Sequence, residues 1–499
     1  MQSVWFATHP ISTSPTGDFV AGAHADTVIA GAGLTGLATG VLLARSGQRV
    51  VIVEGRRVGA VTTGNTTAKL SLLQGVTLSQ IARFHSKDVV RAYVEGNLEG
   101  QALLVHLMTE RGVPFQRRDA YSYASTRSGA DDLRAELEVA NEAGLPVEWT
   151  DQTELPFAVA GAIRLADQVQ IHPLAVLDLL LAEFARRGGV LFEETRVTDV
   201  DSGSPVTITT SRGEMTADRL VLATGSPILD RGGYFAKLVP QRSYATAYRV
   251  PGAPDSLPKG MYLSVDEPTR SLRTLPVDGD ELLLVGGNGH VTGRSDSPAA
   301  ALADLADWTG RHFAGAQLTH SWSAQDYQSI NRVPFVGTLP RGGGKIYVAT
   351  GYAKWGMTNA VAAALHLSGV ILEGQMPWAD QLEHRITKPA GVVSALAPNV
   401  EVAVELAKDW VQAELGALPG EPPAEGESFV GRGPGGKPEA VSTVDGQTCR
   451  LSAVCTHMGG IVRWNDAEKS WDCPLHGSRF AADGTRLEGP AVHDLARRD

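Results

Sequence analysis

Four side chains near the C-terminus have the types and the spacing of a metal site. Cys455-x-His457 and Cys473-x-x-His476 are separated by fifteen residues. Two thiolates and two imidazoles suit a [2Fe–2S] cluster, with both Cys on one iron and both His on the other, or a single tetrahedral zinc ion. All three cysteines of the chain lie in its last fifty-one residues, so no disulfide framework is expected before them.

A second set of residues, near the N-terminus, has the spacing of a dinucleotide-binding turn. The apolar run 28–30 leads into G-x-G-x-x-G, and a helix is expected to follow as far as Arg45. Gly31 permits a tight turn, Gly33 lets a pyrophosphate approach the backbone, and Gly36 lets the helix pack closely on the strand. A second apolar strand then ends at Glu54, a position from which a carboxylate accepts hydrogen bonds from a ribose.

Three later stretches consist of small residues that could approach a flat cofactor closely. The Gly/Thr-rich loop 55–69 either passes under such a cofactor or is an ordinary solvated loop. The buried strand 218–225 ends in a small-residue turn, and the strand before Gly351 is followed by a Gly-rich turn and an Ala-rich helix, whose N-terminus would stabilise negative charge. With the first turn, they give these predicted cofactor contacts: Gly31, Gly33, Leu34, Thr35, Gly36, Glu54, Gly55, Thr62, Thr63, Thr66, Thr67, Ala68, Ala223, Thr224, Gly225, Gly351, Lys354, Trp355, Gly356, Met357 and Thr358.

The first turn with its terminal acid, the strand that ends at Gly225 and the turn 351–358 together resemble the glycine oxidase and D-amino-acid oxidase type of FAD-dependent oxidoreductase. The resemblance covers about residues 25–375. It implies FAD, a discontinuous Rossmann-like α/β FAD-binding domain and a mixed-sheet α+β substrate domain over the flavin. It further implies that Glu54 holds the FAD ribose and that Val197 lies near the adenine. The family's covalent members attach flavin to a cysteine in the late turn, which this chain lacks, so FAD should be non-covalent.

The sequences around the metal-site residues resemble the loops of Rieske [2Fe–2S] domains and not those of zinc fingers. They read Cys-Thr-His-Met-Gly-Gly and Trp-Asp-Cys-Pro-Leu-His-Gly-Ser-Arg-Phe. High-potential Rieske proteins have a further cysteine in each loop, and the two form a disulfide; this chain has Gly460 and Leu475 instead. Without that clamp, we expect a reduction potential nearer the low end of the range of about −150 to +300 mV.

The pattern of apolar and turn residues predicts where these domains begin and end. Residues 1–26 are expected to be irregular, and the Pro/Gly/Glu-rich stretch 419–438 is typical of a linker. No second dinucleotide fingerprint occurs, which argues against a reductase with two nucleotide sites. The predicted domains are an FAD-binding domain (25–90, 160–230 and 331–375), a substrate domain (91–159 and 231–330), a helical and Pro/Gly-rich linker (376–438) and an all-β Rieske domain (439–499).

Charge and hydropathy restrict the partners that this chain is expected to have. The net charge is −11, and no basic run compensates for it, which argues against nucleic acid or an anionic membrane as a partner. No apolar run is long enough to span a bilayer, and the N-terminus has no basic stretch followed by an apolar one. We therefore expect a soluble, cytoplasmic protein.

Two functions fit this combination of domains. In the first, the chain is an amine or amino-acid dehydrogenase or oxidase that passes electrons from flavin through the cluster to an external acceptor, such as a ferredoxin-like protein or a quinone. In the second, it is an electron-transfer relay that receives electrons at the cluster and has no amine substrate. An arginine would bind the carboxylate of an amino-acid substrate. The candidate catalytic residues are Arg242, Arg270 and Arg273 for that role, and Tyr244, Tyr327 and Lys354 for orienting substrate or polarising flavin.

Overall fold

The computed structural model describes residues 1–11, 19–388, 397–433 and 435–498. The first half of the chain contains α1 (Val4–Thr8), β1 (His24–Ala30), α2 (Leu34–Arg45), β2 (Val50–Val53), β3 (Lys69–Leu70), α3 (Thr77–Phe84), α4 (Lys87–Arg111), β4 (Gln116–Ala124), α5 (Arg127–Glu142), β5 (Glu148–Thr150), β6 (Gly161–Gln170), α6 (Pro173–Arg186), β7 (Val190–Phe192), β8 (Val197–Asp201), β9 (Val206–Thr210) and β10 (Gly213–Leu222).

The second half continues with further strands and helices in the same described ranges. They are β11 (Leu238–Arg249), β12 (Met261–Ser264), β13 (Arg270–Val277), β14 (Asp280–Val291), α7 (Pro298–His312), β15 (Gln317–Ser329), β16 (Phe335–Thr338), β17 (Ile346–Thr350), α8 (Gly356–Ile371), α9 (Pro377–Glu383), α10 (Ala397–Leu415), β18 (Ser428–Arg432), β19 (Pro438–Val444), β20 (Gln447–Ser452), β21 (Arg463–Asn465), β22 (Ser470–Asp472), β23 (Arg479–Ala481) and β24 (Arg486–Glu488).

The first sheet, with the helices that pack on it, forms an α/β nucleotide domain. Its strand order is β16-β17-β10-β1-β2-β7, with β9 and β8 beside β10. Strands β17, β10, β1, β2 and β7 run parallel. Their near-continuous apolar sequences suit a sheet that is covered on both faces. One face packs against α2, α6 and α8, and the other face packs against β8, β9 and loop residues such as Tyr234 and Leu339. The carboxyl ends of β1, β2, β10 and β17 therefore lie side by side, where such sheets bind ligands.

The second sheet forms a mixed-sheet domain. Its order is β15-β11-β14-β13-β12-β4-β6-β3, with β5 beside β6, and β12 runs parallel to β4 whereas the other pairs are antiparallel. Strands β3 and β6 lie in this sheet, although their residues fall within the ranges 25–90 and 160–230 expected for the FAD-binding domain. They lie in this sheet because β6 pairs along its length with β4, and β3 pairs in turn with β6 at the edge of the sheet.

The C-terminal domain consists of α10 and two small antiparallel sheets, β18-β19-β20 and β21-β22-β23-β24. Trp471 and Phe480 are fully buried in its core, against which Ala413 and Trp410 of α10 pack. Strand β18 pairs with β19, so the domain includes residues that the sequence assigned to a linker ending at 438. The packing of α10 accounts for this difference, because its apolar residues Ala413 and Trp410 contact the core of this domain.

The N-terminal lead-in, expected to be irregular, contains the short helix α1. Its Trp5 is fully buried and donates a hydrogen bond of 2.7 Å from Nε1 to the carbonyl of Thr66. Ser3 likewise donates to the carbonyl of Gly64 at 2.7 Å. The N-terminus thus packs against the Gly/Thr-rich loop.

No helix among the described residues combines the length and the apolar composition that crossing a bilayer requires.

Candidate functional site

The turn after β1 has a backbone that only glycine permits at its key positions. Gly31 has a φ of +108°, and a Cβ there would lie 2.5 Å from the carbonyl oxygen of Ala223. A Cβ on Gly36 would lie 1.9 Å from the carbonyl oxygen of Gly31. Gly33 caps the N-terminus of α2, and the N–H of Leu34 behind it donates to Thr63 Oγ1 at 3.2 Å. The turn therefore leaves backbone donors and open space at a helix N-terminus, which suits a pyrophosphate.

Glu54, at the end of β2, is held by the same turn. Its carboxylate accepts hydrogen bonds of 2.8 Å from the backbone N–H groups of Ala32 and Arg56. Burial raises the pKa of Glu54, and the two N–H donors and the nearby Arg196 oppose this shift. The two backbone donors fix the orientation of a carboxylate that borders a cavity.

An elongated cavity, here called the first cavity, extends along the carboxyl ends of the parallel strands. The predicted cofactor contacts that line it are Gly31, Gly33, Leu34, Thr35, Glu54, Gly55, Thr62, Thr63, Thr66, Val197, Ala223, Thr224, Gly225, Gly351, Lys354, Gly356 and Met357. Residues from the first turn, the Gly/Thr-rich loop, the end of β10 and the late turn thus border one space. The first of the two alternatives for loop 55–69, a close approach to a flat cofactor, fits this arrangement.

Five predicted contacts do not line the first cavity in the described structure: Gly36, Thr67, Ala68, Trp355 and Thr358. Gly36 faces the backbone of the turn, where it permits close helix packing. Thr358 is buried, and its Oγ1 accepts a hydrogen bond of 3.1 Å from Gln74. The carbonyls of Thr67 and Ala68 accept hydrogen bonds from Arg273. These residues support the walls and do not face the space.

Other residues that line the first cavity gave no recognisable signal in the sequence. Asp326 comes from β15, next to the predicted candidate Tyr327, and residues 486–489 and Ala491 come from the C-terminal domain. Burial raises the pKa of Asp326 to about 6, while Lys354, whose backbone N–H donates to the Asp326 carboxylate, opposes the shift. Sheet pairing and domain packing bring these residues to the cavity, so their local sequence does not reveal them.

The four predicted metal ligands converge in the C-terminal domain. Cys455 and Cys473 are each 3% exposed and lie close enough for their sulfurs to interact directly. The close approach of the two sulfurs lowers the pKa of the Cys455 thiol and raises that of Cys473. Backbone hydrogen bonds shape both ligand loops, since the N–H of Cys455 donates to the carbonyl of Gly460 and the N–H of Cys473 donates to that of Ser478, each at 2.8 Å.

The two histidines present free ring nitrogens to the same space. The imidazole rings of His457 and His476 are 5.1 Å apart and almost perpendicular. The Nδ1 atoms of both rings are buried and have no hydrogen-bond partner. The outer Nε2 of His457 instead lies 3.1 Å from Oδ1 of Asp230, and the ring of Phe235 contacts both imidazoles edge-on. Buried, unpartnered Nδ1 atoms are what metal ligation would require.

The spread of these ligands distinguishes a cluster from a single zinc ion. Around tetrahedral zinc, ligand atoms lie roughly 3.3–3.8 Å from one another. Among the described residues, a set of three or more metal-ligating side chains with all ligand atoms within 4.8 Å of one another occurs only at His24, Asp26 and Asp218. The cysteine and histidine ligands are therefore spaced more widely than one zinc ion allows. A binuclear cluster, with sulfurs at one iron and imidazoles at the other, fits this spacing.

The two ligand loops adjoin at the positions where a disulfide would occur in high-potential relatives. A Cβ on Gly460 would lie 2.7 Å from Cγ and Cδ1 of Leu475. Leu475 is 3% exposed and belongs to the core of the domain. The leucine side chain thus fills the position of the covalent clamp.

Gln325, which is 1% exposed, joins the second ligand loop to the first cavity. Its Nε2 donates to the carbonyl of Gly477, next to His476, at 2.8 Å and to the hydroxyl of Tyr327 at 2.9 Å. Its Oε1 accepts from Thr292 at 2.9 Å. Tyr327 lines the first cavity, so the side chain of Gln325 directly connects the loop that contains His476 to the wall of that cavity.

Arg242, a predicted carboxylate-binding residue, is instead part of an ion network between β11 and the C-terminal domain. Its Nε donates to Glu468 at 2.6 Å, and its Nη2 donates to the other oxygen of the same carboxylate. Arg479 also binds Glu468 at 2.8 Å and Glu488 at 2.7 Å. Although burial alone would raise the pKa of Glu468, Arg479 and Arg242 hold it well below its usual range. Binding a substrate carboxylate bidentately would require Arg242 to release Glu468.

Three other candidate catalytic residues, Arg270, Arg273 and Tyr244, do not line the first cavity. Arg273 donates to four backbone carbonyls, including that of Ile171, and burial lowers its pKa to about 9. Arg270 pairs with Asp304. Tyr244 is hydrogen-bonded to His290 at 3.1 Å. These contacts give each residue a role in holding the second sheet and loop together, whereas Tyr327 and Lys354 do line the first cavity.

Comparison with known proteins identifies both parts of the chain. The model of the FAD dependent oxidoreductase (DAO) family matches residues 26–369, and that of the Rieske [2Fe-2S] domain matches residues 423–497. The chain belongs to the FAD-dependent oxidoreductase family. It is also 30% identical over 481 residues to the "Putative Rieske 2Fe-2S iron-sulfur protein YhfW" of Bacillus subtilis, covering 95% of this chain and 93% of that protein.

The matches confirm the predicted fold classes and the two cofactors, FAD and a [2Fe–2S] cluster. Among solved structures, glycine oxidase from Geobacillus kaustophilus superposes with a TM-score of 0.60 at 22% identity, covering 71% of this chain and 96% of that one. L-proline dehydrogenase from P. horikoshii superposes with a TM-score of 0.61 at 16% identity, covering 72% and 97%. At these identities, the superpositions establish a shared fold.

Proposed function

We propose that this chain dehydrogenates a small amine or amino acid and passes the electrons through its Rieske cluster to an external one-electron acceptor. The observation that carries the proposal is Gln325, which bonds both to the cluster ligand loop and to Tyr327 of the first cavity. FAD supplies a two-electron acceptor for oxidation of a CH–NH bond, and a [2Fe–2S] cluster supplies a one-electron carrier. The acceptor would be a ferredoxin-like protein or a quinone.

The residues of the first cavity take distinct roles in this proposal. Glu54, oriented by two backbone donors, would accept hydrogen bonds from the ribose, and the helix N-terminus at Gly33 would face the pyrophosphate. Tyr327 and Lys354, which approach from β15 and the late turn, would border the flavin. Asp326 lies between them and would place a carboxylate near a cationic amine.

Three observations support an enzyme over a relay. The first cavity is enclosed by three parts of the chain, including residues 486–491, and does not lie on a flat open surface. A second cavity of about 840 Å³ adjoins it, since Ala60, Val61 and Leu487 line both, and this volume is typical of sites for small molecules. In addition, glycine oxidase and L-proline dehydrogenase, which have a similar fold, are named for acting on amino acids.

One observation favours the alternative, an electron relay without an amine substrate. Among the candidate arginines, Arg242 is engaged by Glu468, and Arg270 and Arg273 lie outside both cavities. An amino-acid substrate would therefore lack the arginine that was expected to bind its carboxylate. An amine without a carboxylate, or no amine at all, fits these contacts better.

The deciding experiment is anaerobic mixing of the holoenzyme with a panel of amines and amino acids. We expect at least one compound to bleach the visible flavin absorbance, and the EPR signal of the reduced cluster to rise afterwards. If no compound bleaches the flavin while a reduced electron-transfer protein reduces it through the cluster, the relay is the correct function.

A variant that lacks the cluster tests the direction of electron flow. His476→Ala should bleach its flavin with substrate at a near wild-type rate in a single turnover, whereas steady-state turnover with a protein acceptor should collapse. His384→Ala, at the exposed histidine that directly follows α9, is the matched control and should keep both activities. Intact steady-state turnover in the cluster-free variant would show that electrons do not pass through the cluster.

A further inference from the structure

We propose that Arg486 of the C-terminal domain is an FAD-binding residue, so that FAD and the docked C-terminal domain stabilise each other. This inference does not depend on the proposed substrate. It concerns a part of the first cavity that lies outside the FAD-dependent oxidoreductase match, which ends at residue 369.

The first observation is the composition of the cavity wall. Residues 486–489 and Ala491 line the first cavity together with Glu54, Val197 and Gly225 of the nucleotide domain. Glu54 and Val197 are the residues expected at the adenosine end of FAD. Strand β24 and the turn after it, both in the C-terminal domain, therefore form one wall of the cavity that the dinucleotide turn also borders.

The second observation is an unpartnered donor on Arg486. The residue is 7% exposed, and its Nε is buried without a hydrogen-bond partner. Its Nη1 donates to the carbonyl of Ala491 at 2.9 Å, and its backbone N–H donates to Asp494 at 2.9 Å. Burying a guanidinium N–H without an acceptor costs free energy. An acceptor atom of a ligand at this position would therefore stabilise the folded protein.

The third observation is the balance of charge around that donor. Arg56, Arg196 and Arg486 line the first cavity. Burial, together with repulsion from Arg196, lowers the pKa of Arg486 to about 10, and Asp494 opposes this shift. Glu54 and Asp494 are the carboxylates acting on Arg196. With Lys354, four cationic side chains line the first cavity against three carboxylates, those of Glu54, Asp326 and Glu488, and the anionic diphosphate of FAD would supply the missing negative charge.

Coupling between the domains follows from this shared site. If FAD binds more tightly when Arg486 is in place, then bound FAD must hold the C-terminal domain more firmly by the same factor. Loss of FAD would therefore weaken the docking of the cluster-bearing domain.

The test compares FAD binding by Arg486→Gln with that of the wild type. FAD is titrated into FAD-stripped protein, and quenching of flavin fluorescence gives the dissociation constant. We expect it to increase about tenfold or more, because a hydrogen bond from a charged donor is lost. Arg497→Gln, at an arginine of the same domain whose side chain is 72% exposed, should stay within about twofold. An unchanged cluster EPR signal in Arg486→Gln shows that the domain remains folded, and wild-type affinity with that signal intact overturns the proposal.

Hydrogen–deuterium exchange on the wild-type chain provides a test that needs no variant. Backbone amides of residues 486–491 should exchange more slowly with FAD than in the stripped protein. The exposed hairpin turn at Asp445 and Gly446 in the same domain should not change. Equal exchange of residues 486–491 in both forms would overturn the proposal even if Arg486→Gln loses its cluster.

Discussion

The carboxylate of Asp230 comes from outside the C-terminal domain, yet it lies 3.1 Å from the outer nitrogen of His457, a proposed cluster ligand. Removing this negative charge should make the reduced cluster more favourable. We therefore expect Asp230→Asn to raise the midpoint potential by tens of millivolts. A redox titration followed by EPR measures it, with Asp255→Asn, an exposed aspartate of the second domain, as the control. An unchanged potential would mean that this contact does not tune the cluster.

Lys69 gives a pH prediction at the same scale. Burial, reinforced by Arg273, lowers its pKa to about 7, while Nζ donates to the carbonyl of Tyr262 and to Ser271. Below pH 7, Lys69 is protonated in the folded protein, so the free-energy cost of burying its charge reaches its full value. Between pH about 7 and the unfolded pKa of about 10.4, the unfolded chain binds a proton that the folded chain does not, so stability rises with pH.

The measurement is the melting temperature of wild type and Lys69→Met across this interval. The wild type should gain stability relative to the variant as pH rises from about 7 to about 10. Lys259→Met, at an exposed lysine of the same domain, should follow the wild type. A constant difference between wild type and Lys69→Met would show that Lys69 does not titrate in this range.

At the scale of elements, α1 acts as a support for the loop beneath the first cavity. The Trp5 indole contacts the rings of His172 and Trp322 edge-on, at 5.0 and 6.5 Å between centroids. Trp5→Ala should destabilise the protein by about 3–5 kcal/mol and reduce FAD retention. Trp5→Phe, which loses the hydrogen bond to Thr66, should cost about 1–3 kcal/mol.

Thermal melting and FAD content after gel filtration test the role of α1. Leu318→Ala, at a residue that is 54% exposed on β15, should change neither quantity. Full FAD retention in Trp5→Ala would show that the loop keeps its conformation without the helix.

How well the sequence predicts these features depends on whether residues close together in the sequence determine them. The turn at Gly31 and the ligands around Cys455 and Cys473 were predictable, because spacing within a few residues determines what they can bind. The pairing of β6 with β4 and the packing of α1 were not, since both depend on surfaces supplied by distant residues. The positions of Arg486 and Asp326 in the first cavity, likewise, follow from domain packing and not from any pattern near them.

At the scale of the whole molecule, a buried ion network holds the C-terminal domain against β11. Arg242 is 2% exposed and bridges to Glu468, which Arg479 also binds. Arg242→Gln would leave the buried Glu468 with one cation fewer, which typically costs about 3–5 kcal/mol. We therefore expect the domain to undock at lower urea concentration and flavin-to-cluster electron transfer to slow.

The control for this prediction lies on the same strand. Arg249 pairs with Asp280 at the surface, where both side chains are more than half exposed, so Arg249→Gln should cost about 1 kcal/mol or less. Equal urea midpoints for the two variants would show that the buried network does not hold the domain.

The contact between Gly460 and Leu475 has a consequence for how the cluster can be lost. The two ligand loops are held by side-chain packing and by hydrogen bonds, and no sulfur–sulfur bond joins them. A thiol reductant such as dithiothreitol therefore has nothing to cleave, and the EPR signal of the reduced cluster should survive prolonged incubation with it. Leu475→Ala should instead make the loops separate more readily, so that iron is released to a chelator faster than from the wild type.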